Sequence, residues 1–142
     1  MNYGYGYRAP RRSKFGNEPT MVNGERIDSK LEAKRYQELL LMQRAGQITG
    51  LQRQVKYLII PEHREPDIIG PRGGRKPGKI IEKARYYVAD FVYYDTAGEL
   101  VVEDAKGFKT DVYKLKKALM LDRYGIRIKE TSSRNRRQKK RL

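Results

Sequence analysis

The chain has 142 residues, 38% of them hydrophobic, which fits one domain of ordinary size between basic ends. It has no cysteine and a single histidine, His63, which excludes disulfides, zinc fingers, thiol nucleophiles and histidine-built zinc sites. Its 32 Lys and Arg against 17 Asp and Glu give a formal charge of +15, a field that draws a polyanionic partner.

Nucleic acid is the commonest such partner, through neutralised phosphates and released counterions. The alternatives are an anionic membrane surface or merely solvated charge. No apolar stretch is long enough for a membrane span, and the polar, basic start MNYGYGYRAPRRSK lacks the apolar run of a secretory signal. No membrane partner is therefore expected.

Residues 1–27 read as a flexible tail. Tyr3, Tyr5 and Tyr7 alternate with other residues and lead into Arg8, Arg11, Arg12 and Lys14. Such interleaving either stacks on bases and follows a phosphate backbone or simply keeps a tail solvated. Residues 28–130 read as the folded domain.

The periodicity predicts a helix from Ser29 to Ala45, with Leu31, Tyr36, Leu39, Leu40 and Met42 inward and Gly46 as its stop. A strand is expected over Leu51–Ile60, ending at Pro61, followed by a mobile loop over 62–79. A second strand spans Lys83–Tyr94, a tight turn Asp95–Glu99, and a third strand Leu100–Lys106. A second helix begins at Thr110 or Asp111 and ends at Tyr124 before Gly125, with Val112, Leu115 and Leu119 toward the core. Ile126–Lys129 makes a last short strand, and residues 131–142 form a basic tail. The order implies an α/β (α+β) fold, a mixed sheet with helices packed on it.

The turn near Gly98 sets which side chains meet. A glycine closing a three-residue loop favours a type I turn with a G1 bulge, pairing Asp95 with Glu99. Carried inward, that register sets Asp90 opposite Asp104, their Cβ atoms about 5 Å apart, with Lys106 on the same face. A two-residue loop would instead set Asp90 opposite Glu103. Two carboxylates facing each other in an apolar strand are costly unless neutralised. A divalent cation resolves that cost, taking one or two carboxylates plus water and phosphate. A structural ion pair between Lys106 and either aspartate is the competing account.

Asp90, a gap of thirteen residues, then Asp104-Ala105-Lys106 resembles the PD-(D/E)XK nuclease signature. Ser29–Tyr36, Tyr87–Phe91 and Val102–Gly107 are similar to segments of a small phage-encoded family related to Holliday junction resolvases. The resemblance spans Met21–Glu130. It implies a restriction-endonuclease-like αβββαβ core and a Mg²⁺- or Mn²⁺-dependent endonuclease acting on branched DNA. It also implies a homodimer located in the cytoplasm (the host's, for a phage protein).

The resemblance assigns Glu32, Asp90 and Asp104 to the metal or its waters and makes Lys106 the catalytic lysine. Ala89 stands where the pattern has proline. Asp104 stands where it often has glutamate, and Glu103, just before it, would replace it if the strand bulged. Glu32 also completes a capping box with Ser29, a reading that needs no metal.

DNA phosphates are assigned to Lys114, Lys116 and Lys117 on the second helix, with Arg72, Arg75, Lys76 and Lys79 in the loop. Arg136 and Arg137 carry the same role in the run from Arg134 to Arg141. Solvated charge is the alternative for each. A basic module that binds nucleic acid without cutting it is the other reading of the whole chain.

Overall fold

A computed structural model of the chain describes residues 19–132. The Tyr and Arg residues of positions 3–14 and the cations from Arg134 to Arg141, Arg136 and Arg137 among them, lie outside it.

The chain starts with a small hairpin, β1 (Thr20–Val22) and β2 (Glu25–Ile27), turning at Asn23 and Gly24. Sequence reading placed these residues in the N-terminal tail. Yet Val22 and Ile27 are buried in the core, because two short strands cover the flank of the first helix.

That helix, α1 (Lys30–Arg44), is capped by Ser29, whose side chain accepts from the Glu32 amide at 3.3 Å. Tyr36, Leu39 and Ala33 are its buried stripe. Gly46, at φ 74°, follows the helix end and leads into the first long strand.

β3 (Thr49–Ile60), β8 (Arg85–Tyr94) and β9 (Leu100–Ala105) form an antiparallel meander, and β10 (Lys129–Thr131) joins parallel to β9. The sheet order is β10-β9-β8-β3, so the fold is mixed α+β. β10 falls later than the Ile126–Lys129 expected, since residues 125–128 turn the chain from α2 back to the sheet.

The second helix, α2 (Asp111–Tyr124), runs from a Thr110 cap to Gly125 in the left-handed conformation at φ 65°. Its inward face differs from expectation. Tyr113 and Met120 are buried, whereas Val112 and Leu115 are each 63% exposed. Leu119 packs against the core as expected, and Lys116 and Lys117 are half-buried beside that stripe.

Phe91 packs in the α1 cluster and its neighbour Val92 in the α2 cluster, so the helices lie on opposite faces of the sheet. Tyr87 and Ala89, in step with Phe91, nonetheless pack on the α2 side. On β3, Leu51 likewise packs with α1, while Val55 and Tyr57 pack with α2. Both strands therefore change face at one level, between Arg53↔Phe91 and Val55↔Ala89. At that level Gln54 stands opposite Asp90, and Gln54 has φ 53° in mid-strand. Backbone held there costs about 1–3 kcal/mol and is typically kept at functional sites.

The segment 62–79 is not the loop expected. β4 (His63–Arg64) pairs with β7 (Ile80–Glu82), and β5 (Ile68–Ile69) with β6 (Arg75–Lys76). The amides of Glu65 and Gly70 donate to the Lys79 and Gly74 carbonyls at 2.8 and 2.9 Å. The result is a β-arm continuing β3 and β8 outward to a Gly70–Gly74 tip. Its prolines and glycines suggested an unstructured loop but serve the turns and close approaches instead. A Cβ on Gly78 would lie 2.0 Å from the Glu65 carbonyl oxygen.

Candidate active site

The β8–β9 turn closes as a G1-bulge hairpin. Gly98 has φ 78°, its amide donates to the Asp95 carbonyl at 3.0 Å, and the Asp95 amide donates to the Glu99 carbonyl at 3.0 Å. The Asp95 carboxylate fixes the turn by accepting from the amides of Ala97 and Glu99, each at 2.9 Å. The ladder then runs Tyr94↔Leu100 to Phe91↔Glu103, which is the register that points Asp90 at Asp104.

Beyond Phe91 the side chain of Asp90 takes over from the backbone. Its Oδ2 accepts from the Ala105 amide at 2.9 Å, and its carboxyl lies near enough to Asp104 to feel that charge. Asp104 is 1% exposed. Its Oδ2 accepts from the Tyr87 hydroxyl at 2.8 Å, while Oδ1 receives no hydrogen bond and faces the Lys106 ammonium at 3.4 Å. Lys106 in turn sits over the Tyr113 ring, 5.2 Å from its centre. Burial and the neighbouring Asp104 push the Tyr87 hydroxyl far up, so it remains a donor.

Burial, then Asp104, then Glu32 push the Asp90 carboxyl from its ordinary 3.8 up to about 8; the Ala105 amide only partly opposes them. Because the folded value is raised, this group's contribution to stability is present below about pH 4 and is lost as pH rises through about 8. Asp90→Asn is therefore expected to melt above wild type in chelator, by a margin that grows from pH 4.5 to pH 8.5 and is on the order of a few kcal/mol. A margin independent of pH in thermal melts would sink this assignment.

Glu32 comes close without joining the pair. Its carboxylate turns toward β3 rather than back to the Ser29 amide. Oε1 accepts from Arg53 at 2.9 Å and from the Gln54 amide at 3.0 Å. The same Gln54 nitrogen lies 3.5 Å from Asp90 Oδ1, so Gln54 bridges the two acids. Among the described residues no set of three or more Asp, Glu, His or Cys side chains is placed to hold one ion. Arg53 is also paired with Glu25 and lies over the Tyr36 ring.

Glu103 points the other way. It is fully buried on the α1 side, where Arg35 reaches it at 2.9 Å and the Thr131 hydroxyl donates to it. Regular alternation at β9 thus separates Glu103 from Asp104. Lys117 pairs with Glu130, as does Lys109 at 2.8 Å, and these contacts outweigh burial to hold the Glu130 carboxyl below its usual range. Lys114 is exposed, as are Arg72, Arg75 and Lys76 near the arm's tip and Lys79 further down it, across from Glu65.

Gln54, Tyr87 and Arg53 were missed by the sequence reading. Tyr87 sat among ordinary strand aromatics. The polar run Gln52-Arg53-Gln54, interrupting the apolar positions Leu51 and Val55, was the one available sign of Arg53 and Gln54.

The sequence matches the family described as protein of unknown function (DUF1064) over residues 12–139, nearly its whole length. The chain belongs to the DUF1064 family. No curated protein and no solved structure matches this DUF1064 protein. Among its described residues, no helix is long and apolar enough to cross a membrane.

Proposed function

We propose that this DUF1064 protein is a metal-dependent endonuclease that hydrolyses DNA phosphodiesters, with Asp90, Asp104 and Lys106 at its centre. The carrying observation is the half-buried Asp90 beside the buried Asp104, with the Lys106 ammonium 3.4 Å from an Asp104 Oδ1 that receives no hydrogen bond. A cation would offset the charge of two acids set together out of water, and Asp104 Oδ1 receives no hydrogen bond. The residues thus fit a hard divalent ion, Mg²⁺ or Mn²⁺. Asp90 and Asp104 would hold it, with water and substrate phosphate completing the set; Glu32 would act through Gln54.

The bound ion would supply an activated water and charge neutralisation at the phosphate. Lys106 places its cation beside that position, suited to charge building on the phosphate oxygens. Tyr87 fixes the Asp104 carboxylate, and the Ala105 amide fixes Asp90. The order α1, β3, β8, β9, α2, β10 agrees with the αβββαβ core that the PD-(D/E)XK resemblance implies.

DNA would be held by Lys114, Lys116 and Lys117 and by the arm, whose exposed cations Arg72, Arg75 and Lys76 cluster at its tip. The branched-DNA preference and the cytoplasmic setting rest on the resemblance alone. For the homodimer there is also an exposed apolar stripe, Phe108, Val112 and Leu115, at 82%, 63% and 63%.

A second reading is favoured by the lack of a three-ligand cluster among the described residues. In it the chain binds nucleic acid without cutting. Purified protein incubated with four-way junctions, duplex and single strands separates the two. The nuclease gives products with Mg²⁺ or Mn²⁺ and none with chelator. Salt-sensitive binding with no metal-dependent product on any of the three leaves only the binding module.

A further inference from the structure

A groove of about 630 Å³ opens between α2 and the chain leading into β10. Its floor is aliphatic, with Leu121, Ile126 and Ile128 and the small Ala118. Around it stand four cations, Lys109, Lys114, Lys117 and Arg127, against the single carboxylate Glu130. Tyr113 also lines it, and the same ring carries Lys106 of the acidic site. One side chain therefore borders both.

Those features select a ligand. A flat apolar body carrying a phosphate fills a groove of this size and polarity; a bare anion leaves the aliphatic floor uncovered, and an apolar ligand leaves the cations unanswered. A nucleotide has both parts. Within a base-paired duplex its base is stacked away, so the groove suits a nucleotide without a pairing partner. Because Tyr113 borders both, a nucleotide in the groove would lie near the acidic site. Glu130 holds Lys109 and Lys117 in the empty groove, and an incoming phosphate would compete for them.

We infer that the α2–β10 groove binds one unpaired nucleotide of a nucleic-acid strand, beside the bond that the proposed activity would cut. The inference rests on the reading that the partner is nucleic acid, not on cleavage. It gives the protein a physical means of preferring branched or frayed DNA over uninterrupted duplex.

The test is binding by the full chain in chelator, so that nothing is cut. The probes are a single-stranded oligonucleotide with one 2-aminopurine, its duplex, and free 2-aminopurine deoxynucleoside monophosphate. The single strand should show a saturable fluorescence change that the duplex lacks. Lys114→Ala and Arg127→Ala should each weaken it about tenfold. Ala118→Leu, which fills the groove without altering charge, should weaken it comparably, whereas Glu130→Gln, which frees two lysines, should tighten it severalfold.

Unchanged binding by both Ala118→Leu and Glu130→Gln, in protein that melts normally, overturns the groove as the site. Free monophosphate binding as tightly as the strand overturns the assignment to a strand. Groove binding that behaves as expected, in protein that never cuts, upholds this inference and removes the nuclease reading.

Discussion

Lys106→Ala is expected to lower metal-dependent DNA cleavage by about 10²–10³-fold while leaving DNA binding within a few-fold of wild type. Among the described residues the ammonium is the one cation within ion-pair distance of Asp104, which also accepts from Tyr87 and lies beside Asp90. Its packing over Tyr113 fixes its position, so the charge is already in place when a phosphate arrives. Its loss removes that oriented charge and changes the total charge by only one unit, so phosphate contacts elsewhere continue to hold DNA.

Asp104→Asn should be at least as damaging, because it removes a ligand charge while keeping the shape and a hydrogen bond to Tyr87. Glu103→Gln serves as the comparison. Glu103 faces α1, so cleavage per folded molecule should survive that change. Measured rates in which Lys106→Ala cuts like wild type, or in which Glu103→Gln fails as Asp104→Asn does, would falsify the site.

Arg35→Ala is the substitution expected to cost most stability, about 3–5 kcal/mol, or a fall in Tm of roughly 10–20 °C. Glu103 is 0% exposed and its pairing cation comes from α1, across the face of the sheet. The bonds to Glu103 outweigh burial and raise the Arg35 guanidinium further. Truncating Arg35 strands a carboxylate in the core without its paired cation, although the Thr131 hydroxyl still donates to it.

A like charge effect explains the neighbouring Tyr93 hydroxyl, which burial and then Glu103 push up to about 12. Adding Glu103→Gln to Arg35→Ala should recover most of the loss, since the uncompensated charge and not the missing arginine carries the penalty. Thermal melts of the two single variants and the double variant decide this. A Tm within two or three degrees of wild type for Arg35→Ala would mean that Glu103 is not held by that pair.

Both helices, the turn and the strands β3, β8 and β9 were legible in the sequence. Each is specified by local means: Ser29 and Thr110 as caps, Gly125 as a stop, Gly98 as the residue that closes the bulged turn. The turn chemistry also fixed the direction of Asp90 toward Asp104, because register propagates from a hairpin without help from the rest of the chain.

What required tertiary structure was everything set by contacts between distant segments. The β1–β2 hairpin is too short to declare itself by periodicity and is stable only against α1. The arm is held by pairing across its own length, which Pro- and Gly-rich composition conceals. The inward face of α2, with Tyr113 and Met120, depends on which side of the helix meets the sheet.

At the site, sequence ranks the adjacent acids Asp104 and Glu103 only on condition that β9 runs without a bulge. The sheet ranks them, placing one by Lys106 and burying the other with Arg35. Glu32 was a cap or a site residue by sequence; its carboxylate turns to Gln54, a residue whose role arises only where two strands change face together. Local backbone chemistry was thus written in the order of residues, while the partners of each charge were decided by the fold.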